Sequence, residues 1–123
     1  MQTMQNPAIY FLQSHPSEET LWDCIIKYQG WEFRTYSGLP FTYHLKRGRD
    51  GEYTRELWIN RRENSKSLSW SSIMIAFRKT EGKPVFSGPK SLGNIRGISY
   101  IYGIFYQFGL ISVPAHVEKK MNL

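Results

Sequence analysis

Apolar positions repeat along this chain with two different periods. Between Pro16 and Gly30, Leu21, Cys24, Ile25 and Tyr28 recur at helical spacing with polar residues between them. That pattern predicts a first helix starting at Pro16 or Ser17, because proline is preorganised for a first turn and serine is a good cap. Glu18 and Glu19 suit the positive helix end, Asp23 and Lys27 are spaced as an i,i+4 pair, and Gly30 is a natural stop.

From residue 31 the period becomes two. WEFRTY (31–36) and FTYHLK (41–46) read as strands joined by the turn SGLP (37–40). In the second, Phe41, Tyr43 and Leu45 face one way and Thr42, His44 and Lys46 the other. RGRDGE (47–52) holds Asp50-Gly51, a hairpin signal because both residue types tolerate positive φ. YTRELWIN (53–60) is the third strand, with Tyr53, Arg55, Leu57 and Ile59 opposite Thr54, Glu56, Trp58 and Asn60. The expectation is an antiparallel meander with one face on a helical layer.

Residues 61–67 are polar and basic, and read as a joint carrying the chain off the sheet. Ser69 is the predicted cap of a helix running to about Lys79, with Leu68 and Ile73 as its hydrophobic staple and Ile73, Ala76 and Phe77 as its buried stripe. EGKPVFSG (81–88) reads as a loop and Pro89–Leu92 as a short helical turn. A last helix is expected from about Ser99 to Phe108, with Gly109 as its left-handed stop. The fold class is therefore α+β, one domain over 1–123. It has an N-terminal helix, a three-stranded antiparallel meander and two C-terminal helices packed on the sheet. Residues 1–14 are expected to be loosely packed and 112–123 to form a tail.

Composition excludes some classes. A content of 41% hydrophobic and 15% aromatic residues argues against disorder, and 123 residues suffice for a core without staples. Cys24 is the sole cysteine, so neither an intrachain disulfide nor a thiolate cluster can form within the chain. Its place on the apolar helical face predicts a buried, inert thiol, compatible with a reducing cytosol, and a cytoplasmic location is expected. Residues 97–117 carry no formal charge, but their Ser, Tyr, Gln, Gly and Pro content suits a core helix ending at Gly109 rather than a membrane span. AIYFL (8–12) is too short for a signal-peptide core. A membrane partner is not expected.

Charge alters the picture further. The net charge is +6, yet residues 1–45 carry net −2 while 46–96 carry twelve basic and five acidic side chains, net +7. Such asymmetry points to a polyanion, most often nucleic acid. The candidate phosphate contacts are Lys46, Arg47 and Arg49 at the hairpin tip, Arg55 on the third strand, and Arg61, Arg62 and Lys66 in the joint. Ser71 adds a neutral donor beside the N-terminus of the Ser69 helix, and Trp70 and Trp58 are candidates to stack on unpaired bases. The tip and the joint should lie at opposite ends of the hairpin, as two clusters. DNA or RNA is thus the expected partner.

Two other readings come from the same residues. His44, on a sheet surface with Arg34, Lys46 or Glu56 nearby, has the equipment of metal-free RNA cleavage, the chemistry of a small ribonuclease-like toxin or effector. Exposed Trp and Tyr beside basic residues also suit an acidic protein partner. His15, His44 and His116 show no metal-ligand spacing, and no phosphate-loop or nucleophile-elbow motif occurs, so neither a metal nor a cofactor is expected. Residues 88–111 have the outline of a helix-turn-helix, but the second helix carries tyrosines and no Arg, Lys or Asn that reads bases bidentately. It is expected to be a packing element.

Overall fold

The structure, a computed structural model, describes residues 6–61, 64–82 and 85–122. Along the chain run α1 (Pro7–Ser14), α2 (Glu18–Lys27), β1 (Phe33–Arg34), β2 (Pro40–His44), β3 (Glu56–Arg61), β4 (Asn64–Ser69) and α3 (Trp70–Arg78). A 3₁₀ turn (Pro89–Leu92), α4 (Ile98–Gln107) and α5 (Ala115–Met121) follow. The class is α+β, as the two periodicities predict.

Local chemistry explains the helix starts. The Ser17 side chain accepts from the Thr20 amide at 3.1 Å, while Thr20 Oγ1 accepts from the Ser17 amide at 3.0 Å, a reciprocal capping box. At α3 the Ser69 hydroxyl accepts from the Ser72 amide at 3.2 Å, and the staple residues Leu68 and Ile73 are both buried. Gly109 has φ 72°, and the Leu110 amide folds back onto the Phe105 carbonyl at 2.9 Å.

Among the described residues, both terminal segments hold helices in place of the expected loosely packed N-terminal segment and C-terminal tail. In α1, Asn6 caps the Ala8 amide at 2.8 Å, Pro7 opens the first turn, and Ile9 and Leu12 enter the core. The helix is tied down from outside itself: Cys24 Sγ donates to the Ala8 carbonyl at 3.2 Å and Gln13 Nε2 to the Phe108 carbonyl at 3.0 Å. In the expected tail, α5 buries Val117 and Met121. Tyr106 donates its hydroxyl proton to Asn122 Oδ1 across that helix end.

The sheet holds four antiparallel strands in the order β1-β2-β3-β4, not three. β1 shrinks to two residues because its flanks form turns: the Trp31 amide bonds to Tyr28 O and the Thr35 amide to Leu39 O. β3 starts at Glu56 rather than Tyr53, since the Thr54 amide reaches back to Lys46 O and Arg55 O accepts from the Trp70 amide. The larger correction concerns the joint. The chain does not leave the sheet after Arg61. It returns as β4, paired with β3 from Arg61↔Asn64 to Glu56↔Ser69, and enters α3 directly at Trp70. Only Leu68 in β4 is apolar, and an edge strand needs little more than that once its partner supplies the backbone hydrogen bonds.

The core is aromatic. Tyr28, Tyr43, Tyr102, Phe33, Phe105 and Phe108 are its largest fully buried side chains. Burying tyrosine requires a partner for its hydroxyl: Tyr43 donates to Ile25 O and Tyr102 to Phe86 O, both at 2.5 Å. α4 buries Tyr100 to Phe105 and packs on β1, which removes it as a groove-reading helix. No helix among the described residues is long and apolar enough to cross a membrane.

Candidate nucleic-acid interface

Pleating gives the sheet two unlike faces. Phe41, Tyr43, Leu45, Leu57, Ile59 and Leu68 point into the core and are buried. On the other face, Thr42, His44, Glu56 and Trp58 are half-buried, and Asn60, Ser67 and Ser69 are exposed. Strand register orders them in rows: His44 lies opposite Trp58 and Trp58 opposite Ser67, with Thr42, Asn60 and Ser65 in the row beside.

Lys46 completes this face. Its Nζ lies 3.6 Å from the centroid of the Trp58 ring, a close cation–π contact. On the same face, Trp58 Nε1 and His44 Nδ1 are enclosed and have no hydrogen-bond partner among the described residues. Enclosed nitrogens without partners are uncommon in folded proteins, and they mark this row as incompletely satisfied.

The neighbouring hairpin tip supplies more positive charge. Arg47 bridges to Tyr53 through the backbone, and its guanidinium lies 4.3 Å from the Tyr53 ring while Nη1 donates to Gly51 O at 2.7 Å. Arg49 is exposed beside it. Gly51 takes φ 83° in the turn, as the Asp50-Gly51 pair predicts. Of these basic residues Lys46 contacts Trp58, while Arg47 and Arg49 follow it in the hairpin tip.

Arg55 and Trp70 belong to a different group. Trp70 Nε1 donates to Glu18 Oε2 at 2.6 Å, and Arg55 Nη1 lies 3.5 Å from the same oxygen. The Arg55 guanidinium also sits 4.7 Å from the Trp22 ring and 5.5 Å from that of Trp70, and the two indoles meet edge to face at 5.0 Å. This cluster ties α3 and the residue just before β3 to α2. Trp70, proposed from sequence as a stacking residue, has its indole N–H committed to Glu18. Ser71 is exposed, with its hydroxyl 3.2 Å from that of Ser69.

The remaining basic candidates are placed only through the backbone. Arg61 and Lys66 pair with Asn64 and Ile59, which puts Arg61 at the end of β3 remote from the 46–52 tip. Arg62 lies outside the described residues.

His44, Lys46 and Glu56, the groups considered for acid–base chemistry, share the outer sheet face. Burial pushes the Cys24 thiol up to about 12, with nearby Asp23 adding to the shift and Lys27 opposing it, so the thiol is protonated and unreactive. His44 lies opposite Trp58 in the strand register. Among the described residues, no group of three His, Cys, Asp or Glu side chains is arranged to hold a metal ion. No protein-family model, curated protein or solved structure matches this chain.

Proposed function

We propose that this protein is a cytoplasmic, non-catalytic binder of single-stranded nucleic acid, with the outer face of β2, β3 and β4 as its platform. One observation carries the reading: a tryptophan ring on an open, polar sheet face, with an ammonium group above it and a basic hairpin alongside. Trp58 supplies a stacking surface for an unpaired base, and stacking tolerates any base because each has a π-face. Lys46, Arg47 and Arg49 supply the phosphate contacts beside it, and Thr42, Asn60 and Ser67 offer neutral hydrogen-bonding groups. Single strands are preferred because the sheet presents an aromatic platform, whereas α4, the helix outlined as a groove reader, is buried.

Fluorescence anisotropy with labelled single- and double-stranded DNA and RNA, titrated at several salt concentrations, tests this reading. The expected result is tighter binding to single strands, with log K falling linearly against log salt and a flatter slope for Lys46→Glu and Arg49→Glu. Absence of binding at low salt would refute it. Equal binding of polyglutamate would instead assign the basic hairpin to an acidic protein partner.

A further inference from the structure

A second concavity lies where β4, the turn after β1, the 3₁₀ turn and the start of α4 meet. It encloses about 540 Å³, within the range of small-ligand pockets. Its floor is apolar and aromatic: Leu68 and Tyr100 are buried there, and Tyr36, Leu39 and Ile98 contribute to the walls. Lys90 and Arg96 are exposed at its rim, and no aspartate or glutamate among the described residues lines it. Neither cation makes an ion pair among the described residues. Two unneutralised cations over an acid-free, ring-lined hollow match one ligand chemistry: an anionic group attached to a flat, largely apolar body. Ser67 links the cavity to the sheet face, because it lines the cavity and sits opposite Trp58 in the strand register.

We propose that this cavity is a nucleotide subsite. It takes a nucleoside monophosphate unit, holding the phosphate between Lys90 and Arg96 and the ring against Tyr36 and Tyr100. The unit is either a free mononucleotide or one splayed nucleotide of a bound strand. The second form rests on the proposed single-strand binding, with the strand running from Trp58 past Ser67. An isolated anion would leave the aromatic floor unused, and an uncharged ring compound would leave both cations without a counter-charge.

The test is a set of amide and side-chain NMR titrations of the full chain. The probes are uridine 5′-monophosphate, uridine, inorganic phosphate and a short single-stranded RNA, with Lys90→Glu and Arg96→Glu as variants. The proposal expects the monophosphate to shift the amides of Ser67, Gly97 and Ser99, with at least a tenfold weaker midpoint in either variant. Uridine or phosphate alone should give at most a small part of that shift. Both side chains are exposed, so an unchanged spectrum of each free variant confirms its fold. If phosphate alone reproduces the shifts, the cavity is an anion site and the proposal is overturned. If RNA binds but the monophosphate does not, and Arg96→Glu leaves RNA affinity unchanged, the subsite is refuted while single-strand binding stands. If the monophosphate binds and RNA does not, the subsite stands and the sheet-face reading falls.

Discussion

The ammonium group of Lys46 covers the ring of Trp58 at 3.6 Å, and both belong to the one sheet face that the core does not use. Under the proposed single-strand binding, a base stacking on that side would displace the lysine toward a neighbouring phosphate. The contact given up is worth roughly 0.5–1 kcal/mol at an exposed site, less than a base–aromatic stack at about 1–3 kcal/mol. On the proposed binding, the exchange would favour the stacked base.

Replacing the ring should show this directly. Trp58→Ala is expected to weaken single-strand binding by about 5- to 150-fold, the equivalent of one stack, while Trp58→Phe retains much of the affinity. Lys46→Ala should lower the salt slope by about 0.7, one phosphate contact on a single strand. Anisotropy titrations at matched salt read both, and an unchanged affinity for Trp58→Ala would remove the ring from the site.

The Glu18 cluster leads to an opposite expectation. Glu18→Gln removes the carboxylate next to Arg55 but keeps an acceptor for the Trp70 indole. The ion pair is about half exposed, so the loss of stability should stay below about 1 kcal/mol. Release of Arg55 should leave nucleic-acid affinity equal or higher. A clear drop in affinity, with the melting temperature unchanged, would place Glu18 within the interface.

Gly103 inverts a familiar rule. Within an exposed helix, Gly→Ala stabilises by roughly 1 kcal/mol. Here a Cβ would fall 2.3 Å from the Arg34 carbonyl oxygen and 3.2 Å from the Phe41 ring, because α4 crosses β1 at this point. Backbone must move to admit it. Gly103→Ala is expected to destabilise by about 1–3 kcal/mol, as overpacked cores do, and urea unfolding measures it. A stabilised variant would show that α4 and β1 are farther apart.

Alkaline pH should unfold the protein through its buried acids. Burial raises the Cys24 thiol from 9.0 to about 12, and burial followed by the nearby Tyr36 raises the Tyr102 hydroxyl from 10.0 to about 12. Between the ordinary and the raised values the unfolded chain has lost protons that the folded chain keeps, so stability falls as pH rises. Melting temperature is expected to be flat from about pH 7 to 8 and to decline above about pH 9. Cys24→Ala should reduce that slope even though it removes the Ala8 contact. An identical slope in the variant would show that the thiol ionises normally in the fold.

Much of this fold is legible because its signals are local. Ser17 and Ser69 cap helices within three residues of themselves, Gly109 ends one, and the alternation around Tyr43 and Ile59 marks strands. α1, β4 and α5 were not legible, because each is short and is held by distant partners. Cys24 and Gln13 anchor α1, and β3 supplies the hydrogen bonds of β4. The opposition of His44 and Trp58 needed the register across an asymmetric loop from residue 45 to 55, which no local pattern encodes. Trp58 itself was recognisable as a stacking candidate; its pairing with Lys46 was not. Lys90 and Arg96 read as scattered charges until the 3₁₀ turn and α4 bring them to one cavity.

The most direct test of the sheet-face account uses the chain's four tryptophans as separate reporters. In a proton–nitrogen correlation spectrum, the indoles of Trp22, Trp31, Trp58 and Trp70 each give one signal, assignable by single substitution. On titration with a short single-stranded RNA, the Trp58 signal should shift or broaden in step with binding. Trp31, packed against Tyr28, and the Trp22–Trp70 pair should hold their positions. RNA binding that moves the Trp70 or Trp31 indole and leaves Trp58 in place would contradict the account.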